Sequence, residues 1–501
     1  RLWFLHQFEG PSAAYNSPVA LRLTGELDAT AMRAALDDVV RRHESLRTVF
    51  AEDGAGPVQI VLPVAAVALP VVRVDEASLR DELAAAARHR FDLAAEIPVR
   101  AVLFALGARE HVLLVLTHHI ASDAWSRAPL ARDLATAYAA RVAGEAPSWS
   151  PLPVQYADYS LWQREVLGEA ELGRQLEFWQ RALAGVPEEL ELPADRVRPA
   201  SPSHRGGRVE FTVEPELHDR LTALARDHRA SLFMVLQAAL ATLLTRLGAG
   251  TDVPIGTPIA GRTDDALDEL VGFFVNTLVL RTDTSGDPSF AELVARVRET
   301  DLAAYAHQNL PFERLVEELN PRRSLARHPL FQVMLNLNNA RLDEALDAID
   351  RFAGLTARRE EADTGQVKVD LAFSFAGEHG LAGALDYSTD LFDHGTAEAL
   401  VERLRRILRT VAADASVRIG AVPVLGDEEA HRVLREWNDT ARVVRGVTLV
   451  DLFAEQVART PDAVAVECEG ERLSYVELDR WSNRIAWWLI GRGAGPERFV
   501  A

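Results

Sequence analysis

The chain has 501 residues, 48% hydrophobic and 26% charged, which suits a globular protein with room for three domains or lobes. Its 54 basic and 74 acidic residues leave a net charge of −20, which argues against nucleic acid as a partner, and no basic cluster interleaved with aromatics offsets it. The lone cysteine, Cys468, excludes an internal disulfide and a cysteine metal cluster and fits a reducing, cytoplasmic setting, and no apolar run is long enough to span a membrane.

Arg1-Leu2-Trp3-Phe4-Leu5 opens without methionine and without the layout of a signal peptide, and the end at Ala501 is equally abrupt, so the chain reads as a piece of something longer. Asp28 is a candidate N-cap for a helix carrying Met32, Leu36, Val39 and Val40 on one face, with a strand expected to start within Arg42 to Phe50. Val112 to Leu116 reads as a buried strand, and Leu130, Leu134, Tyr138 and Val142 recur at helical spacing after it. Leu172 to Leu183 reads as a helix and the Pro/Gly-rich Leu192 to Gly207 as a long connection. Ser231 caps an almost wholly apolar, hence buried, helix Leu232 to Leu247, stopped by Gly248. Val253 to Ile259, Val271 to Leu280 and Val369 to Phe375 are strand candidates, and Thr396 to Val411 is an amphipathic helix. Alternation of strands and helices in two comparable halves points to an α/β two-lobed body. A break falls near Val422 to Asp427, and Glu428 to Val444 reads as a polar linker. Leu449 to Val457 and Leu478 to Ile490 read as helices, with a hairpin across Glu469-Gly470 between them.

The chemistry concentrates in Thr117-His118-His119-Ile120-Ala121-Ser122-Asp123-Ala124-Trp125-Ser126, a tight strand-to-helix connection. Histidine is the side chain best matched to proton transfer near neutral pH, and loops held by rigid elements are where such groups tend to lie. Taken alone, the string reads equally well as a turn fixed by hydrogen bonds. Metal is not expected, because adjacent side chains rarely converge on one ion and no third ligand lies at a usual spacing.

Further segments accompany it in order: Arg1 to Leu5 with Glu9-Gly10-Pro11-Ser12, Arg42-His43-Glu44-Ser45-Leu46-Arg47-Thr48, the double-histidine run, and Tyr156-Ala157-Asp158-Tyr159-Ser160-Leu161-Trp162-Gln163. Then come Gly272-Phe273-Phe274-Val275-Asn276-Thr277, His307 to Glu313, and Arg327-His328-Pro329-Leu330-Phe331-Gln332. This ordered set resembles the condensation domain of non-ribosomal peptide synthetases. Leu473-Ser474-Tyr475-Val476-Glu477-Leu478 and Ser482-Asn483-Arg484 look like the start of an adenylation domain.

The resemblance implies a chloramphenicol-acetyltransferase-like fold, a V-shaped two-lobed pseudodimer with a central tunnel. Its lobes would be residues 1–175 and 176–425, followed by a linker at 426–446 and a truncated adenylation piece at 447–501. Upstream donor and downstream acceptor peptidyl carrier proteins would bring substrates as thioesters on 4′-phosphopantetheine, the domain itself binding no cofactor. An aminoacyl amine would attack the peptidyl thioester, forming an amide. An α-amine has a pKa of about 8, so part of it is neutral at pH 7. His119 is where the resemblance places the active-site imidazole, as base or as orienting group. It implies a packing role for His118, a structural ion pair of Asp123 with Arg262, and a core position for Trp125. Asn276 and Thr277 fall on a segment crossing between lobes, for function or packing. Tyr156, Trp162, Phe312, Pro329 and Phe331 read as packing residues. The family usually has glycine where this chain has Ala124, which implies a narrowed approach for the pantetheine arm or a shifted oxyanion donor, and reduced activity. Glu9 to Ser12 and His119-Ile120-Ala121 favour a D-donor, L-acceptor subtype. Alternatives are a silent docking module that recruits a partner enzyme, an epimerisation-type domain, or a free-standing acyltransferase using coenzyme A.

Overall fold

The apolar run Val112–Leu116 lies inside strand Glu110–His118, the middle strand of a five-stranded sheet in the computed structural model. The structure describes residues 2–54, 56–321, 324, 326–338, 352–362, 364–443 and 445–500. Arg1, Val444 and Ala501, and the side chains of Phe4, Leu5 and Glu9, lie outside the described residues. The chain divides into two units, Arg1–Leu425 and Gly426–Ala501.

In the first unit the five-stranded sheet runs Thr356–Glu360, Asn16–Thr24, Glu110–His118, Val99–Ala105, Val71–Arg73. Only the last pair is parallel. Thr356–Glu360 comes from far along the chain and covers Asn16–Thr24, which would otherwise present an open edge. The second half of the chain thus completes the first half's sheet, so a boundary at 175/176 does not separate the two sheets cleanly. Helices Ala29–Arg42 and Arg127–Val142 bury Met32, Leu36, Leu130, Leu134 and Tyr138 against Leu21, Leu23, Leu113 and Val115. Asp28 caps the first of them, accepting from the N–H groups of Thr30 and Ala31 at 2.8 and 3.0 Å. A single tight helical turn, Glu44–Arg47, delays the strand expected after Arg42, which starts at Thr48 and pairs with Gly56–Val61.

The second sheet has six strands in the order Gly206–Val213, Leu381–Ser388, Leu371–Ala376, Val333–Asn338, Asp252–Ile259, Asn276–Asp283. Helix Leu232–Arg246 is buried from Met234 to Leu244, as an almost wholly apolar helix must be. Ser231 caps it, and Gly248, at φ 94°, lies just past its end. His394–Ala413 packs its apolar stripe on the same core.

One expected strand needs correction, and one helix is additional. The strand at Val271–Leu280 starts only at Asn276. The N–H groups of Val271, Gly272, Phe274 and Val275 are taken by His43, Ser126 and Asp123, so they cannot enter a ladder. Helix Tyr156–Val166 was not foreseen; it opens on a reciprocal cap between Gln155 and Asp158.

In the second unit, the stretch read as linker is helical over Asp427–Glu436. Asp427, Glu428 and Glu429 fall in its first turn, where negative charge favours a helix. Helix Leu449–Arg459, a hairpin of Val464–Cys468 with Glu471–Ser474, and helix Tyr475–Ile490 follow. Glu469 and Gly470 turn the hairpin at φ 49° and 87°, the left-handed pair that a two-residue turn requires. No single helix among the described residues is long and apolar enough to cross a membrane.

Candidate active site

His118 ends its strand and His119 starts the turn that leads to helix Arg127–Val142. The two rings are held differently. His118 is buried, its Nδ1 accepting the Ile120 N–H at 3.1 Å and its ring edge-on to Phe91. His119 is half-buried. Its backbone N–H donates to the Tyr15 carbonyl at 2.8 Å, and its Nδ1 lies 2.8 Å from the Ser122 carbonyl. A carbonyl can only accept, so Nδ1 carries the proton and Nε2 presents its lone pair. The ring stands edge-on to Phe273, centroids 5.1 Å apart. Burial, reinforced by the charge of Lys368, lowers its pKa to about 3, so the imidazole is neutral at pH 7.

Asp123 is fully buried, and its carboxylate is taken up by other groups. Its Oδ1 accepts from the Ser126 N–H and hydroxyl at 2.9 and 2.8 Å, and its Oδ2 from the N–H groups of Phe274 and Val275 at 2.9 and 3.2 Å. Arg262 Nη2 lies 3.5 Å from Oδ1 and donates to Ser126 Oγ at 3.1 Å. The guanidinium also lies 4.2 Å over the Phe274 ring and bonds the Leu267 carbonyl. Asp123 and Arg262 thus brace the turn against 272–275, the segment that carries Phe273.

Ala124 is half-buried and does not take the left-handed backbone, so its methyl imposes no conformational strain. Trp125 is half-buried and not the core residue the resemblance implied. Asn276 gives its whole side chain to one loop: Nδ2 donates to the carbonyls of Gln308 and Leu310 at 2.9 and 2.7 Å, and Oδ1 accepts the Phe312 N–H at 2.9 Å. Thr277 is half-buried in the strand beside it. Phe312 and Phe331 are core, Pro329 is half-buried, and the Tyr156 hydroxyl donates to the Phe273 carbonyl at 2.8 Å. Trp162 is 42% exposed, since it sits on the outer side of a surface helix. A cavity of about 230 Å³ lies away from the histidines, among Glu44, Thr48, Val61, Tyr156, Leu161 and Arg164.

Sequence reading passed over Tyr15, Phe273 and Lys368 as neighbours of the imidazoles. Lys368 did carry a signal: it is the one lysine among 54 basic residues.

Residues 1–434 match the condensation-domain family, and residues 453–501 match that of AMP-binding enzymes. The whole chain is 56% identical to 6% of a probable non-canonical nonribosomal peptide synthetase, CymA, of Salinispora arenicola. It is 52% identical to 21% of a dimodular nonribosomal peptide synthase of Bacillus subtilis. The chain therefore spans 6% and 21% of the length of these relatives. Among solved structures it resembles the X-domain from teicoplanin biosynthesis, at 42% identity and TM-score 0.79 over 84% of this chain and 95% of that one. The same domain in complex with OxyB matches at 41% and 0.77 over 82% and 92%. The fold is accordingly the two-lobed, chloramphenicol-acetyltransferase-like α/β fold that the sequence resemblance implied. Motifs, sheets and family model agree: this chain belongs to the condensation-domain family of nonribosomal peptide synthetases, with the start of an AMP-binding domain after it.

Proposed function

We propose that residues 1–425 form an amide between two substrates carried on the 4′-phosphopantetheine arms of upstream and downstream peptidyl carrier proteins. The acceptor's α-amine attacks the donor's thioester carbonyl. The C–N bond forms, the C–S bond breaks, and the proton lost by the amine equals the one taken up by the departing thiolate. The thioester is already activated, so alignment can supply about 7–11 kcal/mol of the barrier.

The observation that carries this reading is the tautomer of His119. With Nδ1–H bound to the Ser122 carbonyl, Nε2 is an acceptor for the N–H of the attacking amine. An imidazole with a pKa of about 3 is a weak proton sink at rest. Its part is to orient the amine and to take up positive charge as the C–N bond forms. The D-donor, L-acceptor subtype is part of the proposal and rests on Glu9 to Ser12 and His119 to Ala121.

The test is a single turnover between a peptidyl-loaded donor carrier and an aminoacyl-loaded acceptor carrier, read by intact-protein mass spectrometry. Transfer is expected with the D-configured donor, and His119→Ala should slow it by about 10²–10⁴-fold with an unchanged melting temperature. Transfer that does not depend on His119 overturns the reading.

One observation favours a second reading, a module that recruits a partner enzyme: the similarity to an X-domain known in complex with OxyB. It takes precedence if wild type transfers nothing between well-loaded carriers.

A further inference from the structure

Lys368 stands alone in a chain whose other basic side chains, 53 of the 54, are arginine. Its Nζ lies 4.6 Å from the ring centroid of Tyr15, a cation–π distance. Tyr15 is also the residue whose carbonyl receives the His119 N–H, and its ring lies 6.3 Å from that of His118. The backbone around Lys368 is pinned on both sides: Val367 N–H donates to the His204 carbonyl at 2.9 Å and Asp370 N–H to the Gln332 carbonyl at 3.0 Å. The Asp370 carboxylate is gripped by both Nη atoms of Arg198, at 2.9 and 2.5 Å. The lysine side chain itself is exposed. A compact ammonium on a flexible stem is thus delivered from a rigid base to the side of the double histidine.

We propose that Lys368 is a positioning residue for the transfer, a fixed positive charge that makes the neighbourhood of His119 unfavourable for a protonated acceptor amine, so that the amine arrives as the free base. This deepens the reading of the site given above and rests on it. A like charge nearby disfavours the charged form of a neighbouring group, and an amine made neutral by its surroundings is an activated nucleophile. The groups facing His119 fit this role. Lys368 disfavours its protonation, while Asp123 points to Ser126 and residues 274–275. His118 is itself held neutral by burial, then by His6 and Lys368.

The test compares wild type with Lys368→Met and Lys368→Arg in two measurements. In the first, the acid limb of the pH–rate profile for transfer should move up by about one pH unit in Lys368→Met and return in Lys368→Arg. A rate loss equal at every pH, or none, overturns the proposal. The second needs no transfer: calorimetric binding of an amide-linked glycyl-pantetheine and of the acetyl analogue that lacks the amine, at pH 6. Wild type and Lys368→Arg should discriminate against the glycyl probe, and Lys368→Met should lessen that by roughly 3- to 10-fold. If the discrimination is absent in wild type or survives the loss of the charge, the proposal fails. Loss of wild-type transfer with intact charge-dependent discrimination would instead count against the function proposed above.

Discussion

Asp123 accepts four hydrogen bonds, and each partner lies in a segment that must be held still: Ser126 in its own turn, Phe274 and Val275 across the fold. Removing one partner of a buried charge pair leaves the other charge uncompensated. Asp123→Ala should therefore cost about 3–5 kcal/mol in urea unfolding, and transfer should fall with it. A pure rate defect at full stability would contradict the bracing role. Its neighbour behaves differently. Ala124 lies outside the left-handed region, so glycine there relieves no strain. Ala124→Gly should leave the single-turnover rate within about threefold and lower stability by about 0.5–1 kcal/mol through backbone entropy.

At the scale of elements, the segment Val271–Val275 decides how the site is assembled. It is apolar and β-branched enough to read as strand, yet its N–H groups serve side chains of the other lobe. Gly261 lets it pass. This glycine has φ 65°, and a Cβ there would collide with the Phe274 carbonyl. Gly261→Ala should shift the segment, lower the melting temperature by several degrees and slow transfer, whereas Gly248→Ala, also at positive φ but with open space around it, should affect stability alone. Asn276 shows why sequence could not choose between function and packing at that position. Its type suits either, and only the placement of residues 308–312 against it commits all its polar atoms to the loop.

At the scale of the whole molecule, the second lobe's core contains a titratable group. Asp301 is fully buried in helix Phe290–Ala306, with Oδ1 accepting from Gln237 Nε2 at 3.1 Å. Its Oδ2 and Gln237 Oε1 have no hydrogen-bond partner among the described residues. Burial pushes the carboxyl up to about 7, against about 3.9 for an unfolded aspartate. The folded state therefore holds this proton to higher pH. The group's contribution to stability is full below about pH 4, declines through the interval, and is lost above about pH 7. Asp301→Asn should remove that slope in unfolding measured from pH 5 to 8, and should stabilise the protein at pH 8 by about 1–3 kcal/mol.

What the sequence determined by itself was local or ordered along the chain. Caps at Asp28 and Ser231 mark helix starts because a side-chain oxygen satisfies N–H groups only two or three residues away. The almost wholly apolar helix Leu232–Arg246 declares its own burial, and the ordered motifs from Arg1 to Gln332 identify the family. Only the tertiary structure decided what long-range contacts decide. It brings Thr356–Glu360 to the edge of the first sheet, seats Asp123 on residues 274–275, and sets Lys368 beside Tyr15. These pairings link residues more than a hundred positions apart, and hydrophobic periodicity carries no information about which distant N–H or charge a side chain will meet.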